Sequence, residues 1–158
     1  MPDPRPAAAL TPARPAPRAG STRLRIRYSE CDPMGVAHHA AYAPWLEIAR
    51  TELLRETGIT YADLERAGTY LVVATLTLNY KRPLFYDDLI EVRTRVSGGS
   101  RVKIEHTYEI ALAEEGGHGA RGRRTPGELA TTAASILVCV DRDGRVRPLP
   151  EWLTPAEC

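Results

Sequence analysis

The chain has 158 residues and a mass of 17.4 kDa, with 43% hydrophobic and 26% charged residues. These values fit one globular domain and exclude a collagen-like, wholly disordered or disulfide-scaffold chain. Lys+Arg total 21 against 20 Asp+Glu, a formal charge of +1, which is too little basic charge for general nucleic-acid binding. No apolar run approaches the roughly 18 residues of a membrane span.

Residues 1–21 are rich in Pro, Ala and Arg, and residues 1–27 hold six arginines against Asp3 alone. Such a segment lacks the apolar core of a secretory signal and is expected to be a disordered tail preceding a folded domain over 22–158. Three cysteines, Cys31, Cys139 and Cys158, are an odd set without metal-type spacing, so free thiols and a cytoplasmic location are expected. Residues 22–28 alternate polar and apolar, with Leu24, Ile26 and Tyr28 on one face, and predict a half-buried strand. Ser29 to Gly35 supply turn formers. From about 39 to 57, Tyr42, Trp45, Leu46, Ala49 and Leu53 recur at helical spacing and predict one amphipathic helix stopped by Gly58. One or two further helical turns are predicted over 61–67.

The remainder reads as sheet. Strands are predicted over 70–80, 89–96, 101–113 and 129–140, with turns at Arg82-Pro83, Asp87-Asp88, Ser97 to Ser100 and Asp141 to Gly144. One strand, one long helix and four consecutive strands imply an α+β layer arrangement. A curved antiparallel sheet of about five strands would wrap around the helix. Its open edge predicts self-association.

The segment from Tyr28 to Tyr42 carries the candidate chemistry. Asp32 sits in a Pro/Gly turn between a strand and the helix start, followed by His38, His39 and Tyr42. A carboxylate there can cap its own turn, or it can face a cleft into which unpaired helix N–H groups point. In the second case a base or nucleophile stands beside a site that polarises a carbonyl, which suffices for acyl transfer. Cys31 is expected to be a packed thiol. His38 and His39, being adjacent, point different ways on a helix, so no metal site is expected with Cys31 and Asp32. His106 and His118 read as ordinary strand and loop residues. Residues 117–122 match GxGxxG, but no helix follows, so a dinucleotide site is rejected in favour of a hairpin tip.

Cys31-Asp32-Pro33-Met34-Gly35-Val36, with His39 and Tyr42 seven and ten residues after the Asp, resembles the active-site motif of the 4-hydroxybenzoyl-CoA thioesterase family. Leu78 to Leu84, Asp87-Asp88 and Leu89 to Val92 extend the resemblance, which covers about residues 23–140. One departure is Ala41, where close relatives carry Asn before the Tyr. The resemblance implies a hotdog fold and hydrolysis of an acyl- or aryl-CoA to free acid and CoA. It implies Asp32 as nucleophile or general base, and the N–H near His39 polarising the carbonyl. The His39 side chain would orient water or the acyl group. Gly35, Val36 and Tyr42 would lie against the substrate, and Lys81, Arg82 and Arg101 are candidates for the CoA phosphates. No metal or redox cofactor is implied. A homodimer or homotetramer is, with the site at a subunit interface. A hydratase or dehydratase acting on acyl thioesters, or a non-catalytic binder of them, are the alternatives on the same fold.

Overall fold

The computed structural model describes residues 10–117 and 124–155. Five strands, β1 (Ala19–Arg25), β2 (Tyr70–Tyr80), β3 (Leu89–Gly99), β4 (Lys103–Glu114) and β5 (Leu129–Val140), form one sheet in the order β1-β3-β4-β5-β2. Every neighbouring pair is antiparallel. Helix α1 (His39–Arg55) packs across the sheet, and the short α2 (Tyr61–Arg66) follows it. No helix among the described residues is long and apolar enough to cross a membrane.

The predicted stripe is the buried stripe. Tyr42, Trp45, Leu46, Ala49 and Leu53 are all buried, and most of them join Ile90, Val92, Tyr108 and Ile110 of the sheet in one core. Strand β4 alternates as a half-buried strand should, with Ile104, His106, Tyr108 and Ile110 facing the helix. A register shift between Ile110 and Ala111 then lets consecutive residues turn inward. Gly58, at φ +85°, follows α1 in the left-handed conformation that ends helices. Thr60 caps α2 by accepting from Asp63 N, while Asp63 answers back to Thr60 N.

The expected boundaries change in several places. Strand β3 runs on through Ser97 to Gly99, β4 covers Lys103 to Glu114, and the turn between them falls at residues 100–102, not 97–100. Strand β1 starts at Ala19, not at residue 22, because Ala19 to Arg25 find pairing partners in β3 from Arg95 to Leu89. The chain before it is also engaged: Ala13 N donates to Thr57 O at 2.8 Å, and Leu10 packs beside Leu54 and Leu64. Tyr28 leaves the strand for a short 3₁₀ turn and is 81% exposed. The first nine residues, the 118–123 tip with His118 and most of the GxGxxG match, and Cys158 lie outside the described residues.

Strand β2 is the sheet edge on one side, and Val72, Val73, Leu76 and Tyr80 are exposed along it. An eleven-residue, mostly apolar edge with no strand beyond it among the described residues is the kind of surface that proteins cover.

His106 gives the fold a pH signature. It is buried, and burial first, then the Arg50 charge, push it down to about 4. The unfolded chain therefore binds the proton first as pH falls from about 6.5, the ordinary histidine value. Stability should be full above that pH and drop by up to roughly 3 kcal/mol as the pH approaches 4. Denaturant titrations of wild type and His106→Gln across this range test it. The variant should lack this component, and identical profiles would contradict a neutral buried His106.

Candidate active site

Residues 30–38 form a small two-stranded hairpin. His38 N donates to Glu30 O at 2.7 Å, Cys31 bridges Ala37, and Asp32 N donates to Val36 O at 2.9 Å. Its turn is Pro33-Met34-Gly35, with Gly35 at φ +77°, a conformation that favours glycine. Because the hairpin closes at His38, the residue before helix α1, Asp32 and the first helical N–H groups are fixed on one rigid piece.

Asp32 is half-buried, and its two carboxylate oxygens differ. Oδ1 accepts from Met34 N at 2.9 Å and from Val36 N at 3.3 Å, which closes the turn. Oδ2 has no hydrogen-bond partner among the described residues. The cap reading and the chemical reading of Asp32 thus coexist, one on each oxygen. At the helix start, His38 Nδ1 accepts from Ala40 N, while the His39 N–H has no acceptor among the described residues. That leaves one free backbone donor at the positive end of the helix dipole. The exposed His38 and His39 rings lie 4.0 Å apart.

Two buried carboxylates hold this piece in place. Glu30 Oε1 accepts from Trp45 Nε1 at 3.1 Å and from Arg27 Nη2 at 2.7 Å, and Oε2 accepts from Arg27 N, tying the hairpin to α1. Burial alone would raise the Glu30 carboxyl, but the bonds from Arg27 and Trp45 outweigh it and hold it below its ordinary range. The second carboxylate is Asp88, which is fully buried. It accepts from Phe85 N, Gly116 N and both terminal nitrogens of Arg124. The Arg124 guanidinium also stacks over the Phe85 ring, 4.7 Å from its centre. The segment so fixed is the one on which the hairpin rests: Ala37 N donates to Leu84 O, and Val36 bridges Phe85. A Cβ on Gly116 would stand 2.5 Å from the Asp87 carbonyl carbon, so only glycine allows this approach. Sequence reading treats Asp88 as a turn marker and gives Arg124, just past the 117–122 tip, no site role. Their pairing spans 36 positions, and nothing local announces it.

The structure brings some of the expected residues together and separates others. Gly35 and Val36 form the Asp32 turn. Lys81 and Arg82 lie at the same end, their backbone N–H groups shared on Ala130 O. Lys81 is exposed, and Arg82 pairs with Glu128 at 2.7 Å. Arg101 does not belong to this group within one chain. It precedes the first residue of β4, whereas the Asp88 end of the sheet meets the last, on the order of 35 Å away along the strand. Tyr42 is also reassigned. It is 3% exposed, wedged between Trp45 and Tyr80 rings, and burial pushes its hydroxyl up to about 12. Within one chain it packs in the core. Burial first, then the carboxylates of Glu30, Asp32 and Asp88, raise the Cys31 thiol, which keeps it protonated and unreactive. Among the described residues no group of three or more His, Cys, Asp or Glu is placed to hold a metal.

The arrangement is a carboxylate oxygen and a free N–H carried on one hairpin-and-helix piece, groups of the kind suited to attack at a carbonyl carbon and to charge developing on its oxygen. The sequence matches the model of the thioesterase-like superfamily over residues 26–156. It is 30% identical over 118 residues to an acyl-CoA thioester hydrolase, YbgC, of Escherichia coli O6:H1, an alignment covering 75% of this chain and 79% of that one. The DHNA-CoA thioesterase of Staphylococcus aureus superposes with a TM-score of 0.72 at 36% identity, over 83% of this chain and 80% of that one. The 4-hydroxybenzoyl-CoA thioesterase of Pseudomonas sp. strain CBS-3 shares the fold, with a TM-score of 0.65 at 23% identity over 85% and 94%.

The support under the hairpin has a measurable cost. Asp88→Ala strands the Arg124 charge and two buried N–H groups, and should destabilise the protein by about 3–5 kcal/mol. Asp32→Asn keeps the Oδ1 acceptor and should stay within about 1 kcal/mol of wild type. Urea unfolding of both variants checks this, and similar losses in the two would remove the distinction between support and site.

Proposed function

Because this chain belongs to the thioesterase-like superfamily, we propose that it hydrolyses acyl- or aryl-CoA thioesters with Asp32 as the reacting carboxylate. The observation that carries this reading is the division of labour on Asp32. Oδ1 is committed to the turn by Met34 N and Val36 N, while Oδ2 is left without a partner among the described residues, on the same hairpin that leads into the free His39 N–H. The thioester carbonyl oxygen accepts from that N–H, and the helix dipole favours the negative charge that builds on it. Oδ2 either takes a proton from the attacking water or attacks the carbonyl carbon itself. In the first route the water oxygen bonds to the acyl carbon as the C–S bond breaks. In the second the C–S bond breaks to leave an acyl–Asp32 anhydride, which water then cleaves to restore the carboxylate. Both release the free acid and CoA as the thiol. The exposed His39 side chain orients water or the acyl group. Lys81 and Arg82, at the same end of the sheet, are the cations within reach of CoA phosphates.

We further propose that two copies meet along β2. Its exposed Val72, Val73 and Leu76 lie on the open sheet edge, and a dimer or tetramer built there would cover them. The described cysteines, Cys31 and Cys139, are free, which agrees with a reducing, cytoplasmic setting.

Thiol release from a panel of aliphatic and aromatic acyl-CoAs tests the activity. Wild type should turn over at least one class, and Asp32→Asn should lose about a hundredfold or more in kcat. Turnover unchanged by Asp32→Asn would contradict the assignment.

A further inference from the structure

A cavity of about 220 Å³ lies at the other end of helix α1 from Asp32. Arg50, on its wall, comes eleven residues after His39, about 16 Å along the helix. The packed core around Trp45, Leu46 and Ala49 lies on α1 between the two ends. Strands β2, β3 and β4 form the floor, and residues 16–18 and 152–155 complete the wall.

Its lining has a definite chemistry. Most of it is apolar, including Leu53, Ile104 and Leu153, and among the described residues no carboxylate lines it. Arg50 is 9% exposed, and its Nε is buried without a partner among the described residues; the carboxylate paired with it there is that of Glu47, 3.5 Å from Nη2 on the exposed side. His106 Nδ1 and Trp152 Nε1 are likewise buried without partners and belong to the same cavity. Native proteins leave few such groups, so three around one cavity point to a ligand that meets them. A buried cation also favours an anion. The neutral state of His106 leaves Arg50 as the one buried charge on the wall. Arg18 also lines the cavity but is exposed, so one buried charge in a mostly apolar chamber suits a monoanion with a hydrophobic body rather than a phosphate dianion. An apolar cavity of about 150 Å³ admits benzene, so this one holds a single ring or a short chain and is too small for a CoA carrier.

We propose that this cavity is a ligand site separate from the Asp32 end, taking a small apolar carboxylate whose charge meets Arg50 and whose body lies against Leu53, Ile104 and Leu153. The inference does not rest on the thioesterase reading, and its test does not use turnover.

The two tryptophans report the two ends independently: Trp152 Nε1 lines the cavity, and Trp45 Nε1 bonds Glu30 behind the Asp32 hairpin. Indole N–H signals of the full chain are followed by NMR while benzoate or hexanoate is added, with benzamide and hexanamide as neutral counterparts. The carboxylates should shift the Trp152 signal saturably and leave Trp45 in place. The amides should bind at least about tenfold more weakly, as loss of a charge-assisted contact implies. Arg50→Met should weaken carboxylate binding by a similar factor. Ala16→Phe fills the cavity from its wall and should abolish binding, which keeps the test decisive if Arg50→Met does not fold. No saturable shift of Trp152 in folded wild type, equal affinity for acid and amide, a response at Trp45 instead, or undiminished binding by Ala16→Phe would each overturn the proposal.

Discussion

The Asp88 carboxylate is fully buried and accepts from Phe85 N, Gly116 N and the two terminal nitrogens of Arg124. Its own backbone carbonyl accepts from Ile26 N. One residue therefore joins the end of β1, the 84–88 turn, the end of β4 and the segment leading into β5. Such a pair adds little net stability compared with apolar packing, because both charges lose water. What it supplies is a unique arrangement: any shift of one segment leaves a buried charge or N–H unpaired. Asp87 is at φ +67° beside it, a conformation an Asp tolerates better than most residues. The hairpin bearing Asp32 rests on this platform through Leu84 and Phe85.

Helix α1 works as a strut with two unlike ends. At its start, Pro44 sits inside the helix and brings no N–H, so the Ala40 carbonyl has no i+4 donor. The His39 N–H also points outward unpaired, so this end is rich in open backbone dipoles. Near its close, Arg50 is enclosed with His106 and Trp152 around a separate chamber. Trp45, between them, is held by Glu30 on one side and by Tyr42 on the other. The buried middle of the helix thus sets the spacing of both ends from the sheet.

Much of this was legible in the sequence because it is local. The stripe from Tyr42 to Leu53 states which helix face is buried, and turn formers on either side of Asp32 place it in a tight turn before the helix. What was not legible depends on register and on distant partners. Arg101 looks as basic as Lys81, yet strand direction puts it at the far end of the sheet. Tyr42 fits both a packing stripe and a binding motif, and only the Trp45 and Tyr80 rings decide for packing. Strand β1 begins among residues that look like tail, since Ala19 and Gly20 carry no apolar signal and are ordered by β3. Asp88 and Arg124 are individually ordinary and acquire meaning only when β4 and β5 bring them together.

The most direct test of the account is a crystal structure of Asp32→Asn bound to an acyl-CoA analogue whose thioester sulfur is replaced by methylene. The account predicts the ketone oxygen within hydrogen-bond distance of the His39 N–H and the ketone carbon facing the residue 32 side chain. An acyl group bound away from the 32–39 hairpin, with the His39 N–H left unengaged, would contradict it.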